Sequence, residues 1–288
     1  MQKKALFIIN PTSGTQRKEP LITLIHEYAE NMDYGVVLTE SHDHATELAQ
    51  QAVRSEVDYV IAVGGDGTVN EVASVLYNTQ TALGIIPIGS GNGLARHLGI
   101  STKPVDALKR ILNGQVRQID TALVNGKPFF CTSGTGADAH VSQLFKEATS
   151  RGFWSYLKIS ARELFTYLPQ EYEIEIDGDV FRREALLVTA ANATQFGNNA
   201  HIAPTATDDD GKLDICLLKS HSRIFYPFTA LRLFRKSLDK SKYWEMKRAE
   251  KATIRRPNAN FIHLDGDPVE APEVLEYEVI PKSLSVIV

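Results

Sequence analysis

Cysteine is almost missing from this chain: two occur in 288 residues, Cys131 and Cys216. That excludes a disulfide-dense scaffold, and the pair has no metal-ligand spacing. Both read as free thiols in a reducing, cytoplasmic setting, with a single disulfide as the one alternative. Long apolar runs are missing too. The run Ala5-Leu6-Phe7-Ile8-Ile9 follows Lys3 and Lys4 but is too short for the apolar core of a secretion signal. No stretch approaches the roughly 18 apolar residues of a membrane span. No Gly-x-x-x-x-Gly-Lys-Ser/Thr loop exists, so the ordinary nucleoside triphosphatase phosphate loop is excluded. Gly65-Asp66-Gly67 also lacks a third glycine at the dinucleotide spacing. Nucleic acid is a poor partner, because no recognition motif accompanies the basic residues.

What is present is a soluble, globular composition, 43% apolar and 23% charged, long enough for two domains. The net charge of −4 hides an asymmetry. Between Lys219 and Arg256 twelve Lys and Arg stand against three acids, a net +9 that leaves −13 elsewhere. Ile224, Phe225, Tyr226, Phe228, Leu231, Leu233, Phe234, Leu238, Tyr243 and Trp244 interleave with those cations. Such a segment suits peripheral contact with an anionic membrane surface; a solvated basic face over ordinary core packing is the other reading.

Residues 5–9, 35–39, 58–63 and 83–87 read as strands, and 20–31, 45–55, 69–77 and 105–113 as helices. Alternation of this kind predicts a parallel sheet covered on both faces, with ligands outside the carboxyl ends of its strands. After Asp120 strand-like runs dominate (122–124, 128–133, 172–176, 185–191, 213–219, 252–255, 261–264, 275–280 and 285–288) with one helical stretch at 154–167. Asn125-Gly126 and Asp177-Gly178 are hairpin signals. The expected second domain is mostly antiparallel β.

The loop Gly64-Gly65-Asp66-Gly67-Thr68 carries the most chemistry. Glycine permits positive φ and close approach, and the helix that follows aims amide N–H groups at an anion. A carboxylate beside phosphate requires a cation between them. Asn10-Pro11-Thr12-Ser13-Gly14 and Ile88-Gly89-Ser90-Gly91-Asn92-Gly93 share that sheet edge, where Ser90 and Asn92 could bond a nucleotide and Arg96 a phosphate. Asp208-Asp209-Asp210-Gly211-Lys212 gathers hard oxygen ligands suited to Mg²⁺ or Ca²⁺. In Leu264-Asp265-Gly266-Asp267, a carboxylate after a strand could serve as general base. Plain turns are the competing reading of each.

Taken in order, these motifs resemble the lipid kinases that include diacylglycerol kinases, sphingosine kinases and their bacterial relatives. Residues 10–14 are similar to that family's first nucleotide loop, Thr39 to its ribose-side threonine, 64–71 to its signature and 87–96 to its second glycine-rich loop. Ile119-Asp120 and Gly134-Thr135-Gly136-Ala137-Asp138 resemble the start of its second domain. Asp210-Gly211 resembles its structural magnesium loop, and Leu264-Asp265-Gly266-Asp267 its base-bearing strand.

The resemblance implies a phosphofructokinase-like α/β domain over 1–121, completed by the terminal strand 282–288, and a β-sandwich-like lipid-substrate domain over 122–281, with the active site in the cleft. It implies transfer of the γ-phosphoryl group of ATP to a lipid hydroxyl. Asp66 would hold Mg²⁺ and phosphate; Asn10, Pro11, Thr12, Ser13, Gly14, Thr39, Gly65, Gly67, Thr68, Asn70, Glu71 and Ser90 would bind ATP. Thr207 and Lys212 would offer carbonyls, and Asp210 its carboxylate, to a structural Mg²⁺ supported through water by Asp120. Two departures matter. Asp267 stands where the family base is usually glutamate, one methylene longer. Asn92-Gly93 stands where diacylglycerol kinases carry Asn-Asp, which is closer to the sphingoid-base version and makes Asp138 a candidate for the lipid head group. An NAD kinase-like small-molecule kinase and a catalytically silent lipid- or nucleotide-binding protein are the alternatives. A homodimer is allowed but not required.

Overall fold

The computed structural model describes residues 2–14, 19–30, 32–148 and 152–288. The chain divides into two compact units, Met1–Ile119 with Lys282–Val288, and Asp120–Pro281. Asn31, the predicted end of the first helix, lies outside the described residues.

The first unit alternates strictly: β1 (Lys4–Ile9), α1 (Glu19–Tyr28), β2 (Asp33–Leu38), α2 (His44–Arg54), β3 (Tyr59–Gly64), α3 (Asp66–Leu76), β4 (Ala82–Pro87), the short α4 (Gly93–His97) and α5 (Pro104–Asn113). β3 and β4 are buried along nearly their whole length, the mark of strands covered on both faces. α5 shows why a local pattern suffices: Pro104 sits in its first turn, and Ala107, Leu108 and Ile111 form one buried stripe. β1 pairs parallel with β2 on one side and with β3 on the other, and β3 pairs parallel with β4. The order 2-1-3-4 reverses direction at β1, so the loops after β1 and β3 diverge to opposite faces. That switch point, at the carboxyl ends, is where open α/β sheets bind ligands.

The second unit contains β5 (Val116–Val124, which begins in the first unit), β6 (Lys127–Phe129), β7 (Thr132–Gly136), α6 (Ala137–Glu147), α7 (Phe153–Thr166), β8 (Gln170–Ile176), β9 (Asp179–Ala191), β10 (Leu213–Lys219), α8 (Tyr226–Phe234), β11 (Trp244–Ala249), β12 (Lys251–Arg255), β13 (Asn260–Leu264), β14 (Asp267–Ala271) and β15 (Val274–Ile287, whose end from Lys282 lies in the first unit). Its pairings are antiparallel: β9 with β7, β8 and β10, β10 with β11, and β13 with β7 and β14. β10 is buried on both faces. Leu213, Ile215 and Leu217 enter one core, and Cys216 and Leu218 enter a second one capped by residues of α7 and α8. Cys131 and Cys216 are both buried, and neither is in a disulfide.

Several elements depart from the sequence expectation. α3 begins at Asp66, within the glycine signature, rather than at Val69. α6 and α8 were not expected, because glycines precede the one and basic residues crowd the other. Pro268 hid β14, and Pro281 split the expected final strand in two. The chain runs through both prolines, and Lys282 at φ +51° marks the bend after Pro281.

Candidate active site

In the first unit the three small-residue loops pack backbone against backbone. The sheet ladder continues into them: the Asn10 N–H donates to Val63 O, Thr39 N–H to Ile9 O and Ile88 N–H to Gly64 O. Asn10 Oδ1 accepts from the Thr12 N–H (2.9 Å) and hydroxyl (2.8 Å), while its amide donates to Thr68 Oγ1 at 3.1 Å. Ser13 Oγ accepts the Gly65 N–H at 3.4 Å. A Cβ on Gly14 (φ +67°) would strike the Ile88 carbonyl, and one on Gly89 would meet the Gly65 Cα at 2.5 Å. These glycines are there for close approach.

Asp66 is the centre of this arrangement. Its Oδ2 accepts the Asn92 N–H at 2.8 Å and its Oδ1 the Gly93 N–H at 2.6 Å. The carboxylate thus clamps the second glycine-rich loop onto the first, and a Cβ on Gly91 would meet its Oδ2 at 2.5 Å. A carboxylate has about four lone-pair sites, so each oxygen can still take a cation. Thr39 and Thr68 are buried, Asn70 Oδ1 accepts from Ser74 Oγ at 3.4 Å, and Pro11, Thr12, Gly14 and Ser90 are exposed. Burial raises the Glu71 carboxyl above its usual range; His42 draws it down and Asp43 pushes it up. Glu71 Oε2 is buried with no hydrogen-bond partner. His42 and Asp43 lie on the loop after β2, on the edge where ligands were expected, and that placement is the signal by which they could have been found.

The second unit holds the other expected residues in two places. Asp120 is fully buried; its N–H donates to Asp208 O at 2.7 Å, and its Oδ2 accepts the Gly211 N–H at 2.7 Å. Asp210 Oδ1 accepts the Lys212 N–H at 3.1 Å, and Thr207 and Lys212 are exposed on the same turn. Arg248 reaches Asp210 at 3.7 Å and Asp214 at 3.1 Å. Burial pushes the Asp214 carboxyl up, and Arg248 opposes that.

The hairpin β13–β14 turns through Asp265 (φ +49°) and Gly266 (φ +98°), with Leu264 opposite Asp267. Asp265 is fully engaged: it accepts N–H groups from Phe130 (2.9 Å), Cys131 (2.7 Å) and Thr132 (3.0 Å). Asp267, one residue past the turn, is exposed. Arg256, buried, donates to Thr135 Oγ1 and to the carbonyls of Asn260, Phe261 and Pro272, which fixes the hairpin against β7. A cavity of about 60 Å³ beside it is lined by Thr135, His140, Tyr167, Arg256 and Phe261, among others. Asp138 is buried and accepts from Thr189 Oγ1 at 2.6 Å, with His263 Nε2 3.2 Å away. Sequence reasoning missed Thr189 and His263; both lie on strands flanking β7, a proximity that strand pairing alone supplies.

Known proteins share this organisation. Residues 4–124 match the model of the diacylglycerol kinase catalytic domain, and residues 132–288 that of the YegS C-terminal NAD kinase beta sandwich-like domain. The chain is 33% identical to the diacylglycerol kinase of Bacillus subtilis (strain 168), over 75% of this chain and 74% of that one. It is 29% identical to the "Probable lipid kinase YegS" of Salmonella typhimurium, over 97% of this chain and 94% of that one. A solved structure from Bacillus anthracis str. Sterne, provisionally assigned as a diacylglycerol kinase, superposes with a TM-score of 0.83 at 26% identity, covering 99% of this chain and 96% of the other.

Proposed function

The chain belongs to the family of diacylglycerol kinases and YegS-type lipid kinases, with an N-terminal α/β domain and a C-terminal β-sandwich domain, and from that premise we propose that it transfers the γ-phosphoryl group of ATP, with Mg²⁺, to a lipid primary hydroxyl. The observation that carries this reading is the clamp of three small-residue loops at the switch point of the parallel sheet. Their backbones meet at Gly14, Gly65 and Gly89, and Asp66 sits among them.

The residues present fit the groups required. Hard oxygens at Asp66 suit Mg²⁺, and Glu71 Oε2 is a buried acceptor still without a donor. Asn10, Pro11, Thr12, Ser13 and Gly14, with Gly65, Gly67, Thr68, Asn70, Glu71 and Ser90, would line the phosphates, and Thr39 the sugar side. Mg²⁺, when bound, supplies charge neutralisation on the phosphates. Phosphoryl transfer needs little covalent help, so this chain's work is positioning and excluding misaligned geometry. Asp267, exposed on a hairpin held by Asp265 and Arg256, would take the proton of the acceptor hydroxyl. Asp120, Asp210 and the carbonyls of Thr207 and Lys212 would hold a structural Mg²⁺ on the turn before β10. Asp138 would face the lipid head group.

Labelled ATP offered with diacylglycerol, a sphingoid base and NAD tests the reading. Label in a lipid, lost on chelation of Mg²⁺, is the expected result. Label in NAD alone would replace the acceptor class, and ATP binding without any labelled lipid would mark a silent binding protein. Asp267→Asn should bind ATP as the wild type does and lose turnover by roughly a hundredfold or more.

A further inference from the structure

Twelve large apolar side chains are exposed among the described residues, and eight of them fall in two stretches: three on or just after α7 and five between Ile224 and Phe234. The two stretches are neighbours. The Phe165 ring of α7 lies 5.6 Å from Tyr226 of α8, and Leu164 and Leu233 pack into the same core cluster. α8 is apolar on both sides. Its inner side is anchored: Tyr226 and Thr229 are buried, and His221 bonds Thr229 Oγ1 at 3.0 Å while stacking on Tyr243 at 4.1 Å. Its outer side carries Phe228 (63% exposed) and Leu231 (45%), and Ile224 (72%) stands on the 3-10 turn Arg223–Phe225 that leads into it. A rigidly seated helix with large apolar groups facing outward marks an interaction surface.

Charge identifies the occupant. Arg223, Arg235, Lys236, Lys240 and Lys242 in and just after this segment are exposed, and Asp239 is the single acid between Lys219 and Lys242. A second copy of this face would set cations against cations. We infer that the outer side of residues 223–236, with the exposed side of α7, is a docking surface for an anionic lipid bilayer. Ile224, Phe228 and Leu231 enter the boundary between head groups and acyl chains, and Arg223, Arg235 and Lys236 pair with lipid phosphates. No helix among the described residues is long and apolar enough to cross a membrane, so the contact is one of lying on the surface. The inference goes beyond phosphoryl transfer and does not depend on it, since binding is read without ATP.

The test is sedimentation of the full chain with vesicles of phosphatidylcholine alone or mixed with phosphatidylglycerol. The chain should pellet with the mixed vesicles, stay largely soluble with phosphatidylcholine, and be released by salt. Ile224→Ser with Phe228→Ser should lower partitioning at least about tenfold, and Arg235→Gln with Lys236→Gln by about tenfold or more. Both pairs are exposed, so melting temperature should not move. Trp154 is 78% exposed on α7 and Trp244 is 7% exposed, so a blue shift of emission on mixed vesicles should vanish in Trp154→Phe. The inference is overturned if the wild type ignores phosphatidylglycerol vesicles or if the Ile224 and Phe228 variant binds as the wild type does. It is also overturned if those substitutions abolish a concentration-dependent dimer and leave vesicle binding intact.

Discussion

Asp66 and Asp265 are both acids in glycine-rich turns, and both have oxygens committed to backbone N–H groups from another part of the chain. Hydrogen bonds to an ionised acceptor are about twice as strong as neutral ones, so each aspartate fixes a loop as well as carrying charge. Asp265→Asn keeps a residue that tolerates positive φ but leaves three donors facing a neutral amide. It should lower stability by roughly 2 kcal/mol in denaturant titrations. Asp267→Asn, two residues on and exposed, should leave the same titration unchanged. Gly89→Ala drives a Cβ to 2.5 Å from the Gly65 Cα, both of them backbone positions with no side chain to yield. Overpacking of about 1–3 kcal/mol should raise the Kd for ATP by tenfold or more in isothermal titration.

At the scale of elements, strand pairing is reinforced by buried or half-buried charge. Between β9 and β11, Arg183 donates to both carboxylate oxygens of Glu245, at 3.0 and 3.2 Å, with Lys219 at 3.6 Å. The Arg183 bond is the main reason the Glu245 carboxyl lies below its ordinary 4.5. A lowered carboxyl pKa stabilises the fold fully above the ordinary range and loses that contribution as pH falls through the lowered folded value. Glu245→Gln should therefore cost about 1 kcal/mol near neutrality and nothing once acid has protonated Glu245 in the folded chain, read from urea midpoints against pH. The hairpins were legible because their turns are local: Asn125-Gly126 and Asp177-Gly178 both adopt positive φ at both positions, with strands paired across them. α8 was not legible. Its apolar residues face two ways, and a face left open breaks the pattern by which a surface helix is recognised.

For the whole molecule, the first unit is discontinuous. Lys282–Val288 returns to it, Val286 pairs parallel with Leu83, and Gln115 and Val288 exchange N–H donors at 2.9 and 3.0 Å. Leu284, Val286 and Ile287 are buried there. Truncation after Ile280 removes three core side chains worth about 2 kcal/mol each and exposes a strand edge. The midpoint of thermal melting should fall, and the shortened chain should aggregate. By itself the sequence determined the alternation of strands and helices before Asp120, the prevalence of strands after it, and the loops that hold small and acidic residues, because φ freedom, periodicity and turn chemistry are local properties of the backbone. Only the tertiary structure decided that Asp66 and Asp265 accept amides from distant loops, that Asp138 meets Thr189 and His263, and that α8 keeps an apolar side outward. Each of those depends on what the rest of the chain brings alongside, and pairwise burial and hydrogen bonding are not written in any short stretch of residues.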